Sequence, residues 1–173
     1  MFSATPGTLT IIDLSDPFVD ASTACGFFNI CLALFKKNRP SSGLVVALDE
    51  AHKYMGETEA AMLFTGSLFT TIREQRHNAT RVIIATQEPT ISEKLMELSS
   101  ITTVHRFTSP TWFTAIKTHL GAASTLISAA EAQSTLFETI MNLKVGESML
   151  FSPASFLCIG DGQPRNWDLE WSN

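Results

Sequence analysis

The sequence predicts an α/β fold: a mostly parallel sheet with helices on both faces. Three observations carry this. Short β-branched apolar runs alternate with longer stretches whose apolar residues recur at three-and-four spacing. Two runs, Leu44–Leu48 and Arg81–Thr86, lack polar alternation, as expected of strands covered on both faces. One helical stretch separates these two runs, which is the order of a β-α-β unit.

The elements follow in chain order. Leu9–Leu14 is apolar and β-branched, bounded by Pro6-Gly7 and Ser15-Asp16-Pro17, and reads as a first strand. Asp20–Arg39 reads as a helix with Phe27, Phe28, Cys31, Leu32 and Phe35 as its buried stripe. Lys36, Lys37 and Arg39 suit its negative C-terminal end, and Pro40-Ser41-Ser42-Gly43 stops it. The strand Leu44–Leu48 comes next, then a helix from Glu57 to about Gln75 with Phe64, Leu68 and Ile72 on one side. Arg81–Thr86 is a strand, Ile91–Leu98 a short helix, and Thr102–Phe107 a further strand. Ser109-Pro110 caps and opens a helix running to about Leu120, since proline is favoured at the first helical position. Ser124–Leu143 reads as helical, and two strands, Glu147–Phe151 and Phe156–Ile159, flank Pro153.

A length of 173 residues suggests one domain, 1–173, with room for one core. Apolar residues at 45% and charged residues at 17% mark a globular chain, not a disordered one. The net charge of −5 disfavours nucleic-acid binding by the chain alone, which needs a basic face. No stretch approaches the roughly eighteen apolar residues of a membrane span, and Asp13, Asp16 and Asp20 break what would be a signal sequence. The expected location is therefore the cytoplasm, with no membrane partner. The three cysteines, Cys25, Cys31 and Cys158, read as thiols in a reducing compartment. Asn78-Ala79-Thr80 matches a glycosylation triplet, which the missing secretory signal discounts.

The chemistry concentrates at strand ends. Leu44–Leu48 runs straight into Asp49-Glu50, and parallel sheets bind ligands at the carboxyl ends of their strands. Neighbouring strand residues point in opposite directions, so the two carboxylates take different tasks. Asp49 is the candidate Mg²⁺ ligand, and Glu50 the candidate base orienting a water toward a γ-phosphate. The competing reading is a solvated acidic loop. Gln87, at the end of the other buried run, could hold that water or a phosphate oxygen; a plain polar strand cap is the alternative. Arg73 and Arg76 share a helix side and could stabilise phosphate charge, or simply pair with Glu74 or Glu59. His52 could join a metal site, but His52, His77, His105 and His119 show no zinc-ligand spacing. There is no serine-hydrolase elbow, and Asp161 between two glycines reads as a turn residue.

Asp49-Glu50-Ala51-His52, Arg73-Glu74-Gln75-Arg76-His77 and Ala85-Thr86-Gln87-Glu88-Pro89-Thr90 together resemble the HerA/FtsK-type branch of the RecA-like P-loop ATPases, which contains DNA translocases and type IV secretion ATPases. Ser99–Arg106, Ser109-Pro110-Thr111-Trp112 and Leu143–Ser152 resemble the C-terminal half of the same core. The resemblance implies a three-layer P-loop NTPase-like fold. It makes Asp49-Glu50 the Walker B pair and Gln87 the polar residue of the sensor strand. It places Arg73 and Arg76 toward the nucleotide or a neighbouring subunit. The implied substrate is ATP or GTP, with Mg²⁺ as cofactor.

One departure stands against the match. The family grips phosphate with G-x-x-x-x-G-K-[ST], and this sequence has no Gly-Lys dipeptide. The P-loop, its strand and its helix find no place before the first predicted strand. Without that central strand a parallel sheet has a gap, to be filled by rearranged pairing of the C-terminal strands, a second copy of the chain, or a partner. A homodimer is one expectation. Three readings of function follow: a minimal Mg²⁺-dependent nucleotide hydrolase, an inactive ATPase remnant acting as a scaffold or interaction module, and a fragment whose P-loop lies upstream.

Overall fold

The computed structural model describes residues 5–14, 16–38, 43–88, 91–117 and 130–152, with the backbone alone for 130–133. The fold is α/β. Helix α1 spans Ala21–Asn38, strand β1 Leu44–Leu48, α2 Glu59–Arg73, β2 Thr80–Ile84, α3 Glu93–Glu97, β3 Thr102–Val104, α4 Pro110–Lys117, α5 Ala130–Met141 and β4 Met149–Phe151. The predicted segments 118–129 and Phe156–Ile159 lie outside the described residues.

Strands β1 and β2 pair in parallel, in register from Leu44 opposite Thr80 to Leu48 opposite Ile84. Helix α2 connects them. Strands β3 and β4 form a separate antiparallel pair, from Thr102 opposite Phe151 to Val104 opposite Met149. The described sheets are thus two short ladders, one parallel and one antiparallel, where the sequence predicts one mostly parallel sheet.

The first half of the chain packs around Cys25, Leu32, Ala51, Met55, Ala61, Phe64, Leu68 and Leu95. Helix α1 starts at Asp20, whose carboxylate accepts the Thr23 N–H at 2.8 Å, an N-cap bond. That backbone bond, with help from the Thr23 hydroxyl and the Ser22 N–H, holds the Asp20 carboxyl below its ordinary range. The helix turns Ala24, Cys25, Phe28 and Leu32 inward, a spacing of three and four. Of the predicted stripe, Leu32 is buried, Phe28, Cys31 and Phe35 are half-buried, and Phe27 is half exposed, with Ala24 and Cys25 completing the inner side. Burial pushes the Cys25 thiol up, and its Sγ donates to the Tyr54 carbonyl at 3.3 Å; this is a packed thiol, not a reactive one.

In α2, Thr58 caps the start by accepting the Ala61 N–H, and Ala61, Phe64, Leu68 and Thr71 line the inner side. Phe28 of α1 packs between Tyr54, edge to face at a centroid distance of 4.9 Å, and Phe64, tilted at 5.9 Å. Lys36 of α1 donates to the buried Thr71 hydroxyl and lies 3.8 Å from Glu74, tying the far ends of the two helices together. The second half has its own cluster of Val104, Phe113 and Ile140, with Phe107 and Phe137 against it. Its helix α4 opens on Pro110, and Ser109 Oγ accepts the Trp112 N–H, as the capping pattern predicts.

Two strand expectations fail. Residues 9–14 form no strand, and Leu9 and Ile11 are 85% and 79% exposed. β-Propensity alone gives no ladder without a neighbouring strand to pair with. Nor do the described residues cover β1–β2 on both faces. Leu44, Val46, Leu48, Val82 and Ile84 face the helices, while Val45, Ala47, Arg81 and Ile83 face outward and are exposed. Both helices that cover this pair, α1 and α2, pack into the single core cluster on its inner side.

The turn that returns α2 to β2 carries one strained residue, Ala79, at φ 42°. Its carbonyl accepts the Leu44 N–H at 3.0 Å, which starts the β1–β2 ladder. Ala79→Gly removes the Cβ that disfavours left-handed backbone and is expected to raise stability by up to about 1 kcal/mol, read as a higher thermal midpoint. An unchanged or lower midpoint would show that the turn does not hold this geometry in solution. Among the described residues, no helix is long and apolar enough to cross a membrane.

Candidate functional site

The carboxyl ends of β1 and β2 are held together beyond the strands themselves. Ala85 N–H donates to Leu48 O at 2.8 Å, and Ala51 N–H donates to Ala85 O at 3.0 Å. Ala51, 1% exposed, anchors a single 3-10 turn, Ala51–Lys53, against the core. Asp49 and Glu50 form the link between strand and turn, and they are fixed in different ways.

Asp49 is exposed, and its Oδ1 accepts the Glu50 N–H at 2.9 Å, leaving the other oxygen toward solvent. Glu50 adopts φ 52°, ψ 41°, left-handed backbone that a non-glycine residue rarely occupies. Its side chain reaches across to the next strand end: Gln87 Nε2 donates to Glu50 Oε1 at 2.5 Å. Glu50 Oε2 lies 3.6 Å from His52 Nε2 and 3.7 Å from Lys53 Nζ. His52 Nδ1 in turn lies 3.4 Å from the hydroxyl of Thr86, the residue before Gln87.

The structure therefore brings Asp49, Glu50 and Gln87 to one sheet edge, and adds His52, Lys53 and Thr86. Of these three, sequence reasoning weighed only His52. Lys53 was legible from its spacing three residues after Glu50, once a helical turn is placed there. Thr86 had no signal of its own.

Arg73 and Arg76 are not part of this edge. They are exposed and sit where α2 ends and turns back toward the start of β2. A β-α-β crossover returns the chain to the amino ends of the strands, and a five-residue strand spans about 17 Å. These arginines and the carboxylates thus occupy opposite ends of the ladder. Nor is Glu74 their partner: its carboxylate meets Lys36 and accepts from Asn78 Nδ2 at 2.9 Å.

Among the described residues, no group of three or more His, Cys, Asp or Glu side chains is placed to hold a metal ion. That rules out no Mg²⁺ site of the nucleotide type, which uses one or two carboxylates with water and substrate phosphates. The free side of Asp49 suits that donor set. The arrangement as a whole presents one exposed carboxylate, one braced carboxylate, an amide and a flexible cation. Compared with known proteins, the chain matches no family model and no curated protein.

Proposed function

We propose that this chain is a nucleoside triphosphate hydrolase-like domain of the three-layer P-loop NTPase type, related to the HerA/FtsK branch, with Walker B-type carboxylates and a sensor glutamine but no phosphate-binding loop in residues 1–173. The observation that carries the reading is the bond from Gln87 to Glu50 across two adjacent parallel strand ends, beside Asp49. A carboxylate oriented by an amide can hold a water for attack on a γ-phosphate. Asp49 would hold Mg²⁺, which when bound neutralises phosphate charge. Lys53, 59% exposed, is the cation at this edge that can swing toward a phosphate. Grip from so few groups makes ATP or GTP binding weak, because phosphoryl transfer depends on positioning and electrostatics.

A second reading has its own support. Both Glu50 oxygens already meet protein groups, and among the described residues no arginine is paired with them. The exposed outer face of β1–β2 adds apolar surface open to a partner. These features fit an inactive remnant that serves as an interaction module, pairing with itself or with a related ATPase.

Phosphate release from ATP and GTP with Mg²⁺ separates the two. The hydrolase reading expects release by the natural chain and loss in both Glu50→Gln and Asp49→Asn. Equal release from all three proteins, or none above buffer, moves the assignment to the interaction module.

A further inference from the structure

The Oε2 of Glu50 has two neighbours of unequal reach, beside the Gln87 amide on Oε1. Lys53 is long, well exposed and screened by solvent, so its contact at 3.7 Å fixes little. His52 is shorter and only 16% exposed at the side chain, and it has a neighbour on each ring nitrogen. On the far side of the ring, Thr86 is itself fixed. Its hydroxyl donates to Glu88 O at 2.7 Å and accepts the Glu88 N–H at 3.3 Å. With that one hydrogen committed, Thr86 meets His52 Nδ1 as an acceptor. The ring thus lies between Thr86 Oγ1, 3.4 Å from Nδ1, and Glu50 Oε2, 3.6 Å from Nε2.

We propose that Thr86 and His52 are positioning residues for Glu50: Thr86 sets the rotation of the His52 ring, and the ring sets the plane of the Glu50 carboxylate against Gln87. The proposal deepens the hydrolase reading and rests on it for its catalytic consequence. Its structural content is independent of that reading. Thr86 and Gln87 are sequence neighbours at the end of β2, and their opposed side chains reach the two oxygens of one carboxylate, Gln87 directly and Thr86 through the ring. The left-handed backbone at Glu50 puts its side chain within reach of both.

The test uses the full chain with Thr86→Val, which keeps the branched shape and deletes the hydroxyl, Thr86→Ser, which restores it, and His52→Ala. The Gln87 side-chain amide is followed by ¹H–¹⁵N correlation without nucleotide, and kcat and KM are read from phosphate release. In Thr86→Val and His52→Ala the Gln87 amide is expected to move toward its position in Glu50→Gln, while backbone amides away from this edge stay in place. The kcat of Thr86→Val should fall about 10-fold, as for loss of an outer-shell partner. Its KM should stay within about twofold, and Thr86→Ser should match the natural chain in both readouts. A Gln87 resonance unmoved by Thr86→Val overturns the proposal, and so does a loss that Thr86→Ser fails to rescue. If the natural chain releases no phosphate, the hydrolase reading fails, and the Gln87 resonance still decides whether Thr86 and His52 position Glu50.

Discussion

Phe64→Ala is expected to destabilise the protein by about 3–5 kcal/mol, measured by denaturant unfolding followed by circular dichroism. Phe64 is 1% exposed and sits where α1 meets α2, with the Phe28 ring 5.9 Å away and Leu68 one turn on. Truncation removes the ring's apolar burial and leaves a cavity that two helices cannot both close. Globular proteins have roughly 5–15 kcal/mol in total, so the variant loses a large share of its stability. Phe27→Ala is the control. Its ring lies on the same helix pair but is half exposed, and the expected change is within about 0.5 kcal/mol. A small loss at Phe64, or comparable losses at both sites, would mean that α1 does not pack in the observed rotation.

That control also marks how far the sequence could be read. In α1 the three-and-four spacing gave Phe28 and Leu32 correctly as inward-facing, but it could not tell that Phe27 lies outside the buried side while Ala24 and Cys25 lie within it. Periodicity fixes the pattern of a helix but not its rotation, which is set by what the partner helix offers. In α2, where Ala61, Phe64 and Leu68 leave no second apolar stripe as strong, the buried side was legible. The strands behave similarly. Leu44–Leu48 and residues 81–84 were legible as strands because both are short, apolar and bounded by turns. Which of their faces is covered was not, since an all-apolar run looks the same whether one face or two finds a partner. Residues 9–14 carry an equally strong local signal and make no strand, because pairing is a property of the neighbour.

At the candidate site, adjacency of Asp49-Glu50 and Gln87 followed from two strands joined by one helix. The same topology argument places Arg73 and Arg76 at the amino end of β2, and it outweighs their shared helix side. The contacts of Glu50 could not be read in advance. They depend on the register of Leu48 with Ile84 and on a left-handed backbone that a glutamate does not announce.

That backbone gives the second large expected effect. Glu50→Gln preserves shape and the Gln87 neighbour but removes the charge, and phosphate release should fall about 10²-fold or more if Glu50 orients the attacking water. The loss has to be distinguished from damage to the fold, and the φ of 52° supplies the means. Glu50→Ala and Glu50→Gly both delete the carboxylate, so both should lose activity. They differ in the backbone. Alanine keeps the steric cost of left-handed geometry, about 1–2 kcal/mol, whereas glycine does not. Glu50→Gly is therefore expected to melt above Glu50→Ala while being no more active. A residue held against its own backbone preference is more stable when replaced by glycine. If Glu50→Gly melts below Glu50→Ala, the left-handed turn is not the ground state, and the carboxylate is not held where Gln87 meets it. If the glycine variant is stabilised and phosphate release is unaffected, the turn stands as described, and the task of Glu50 is to hold the two strand ends together through Gln87 and His52.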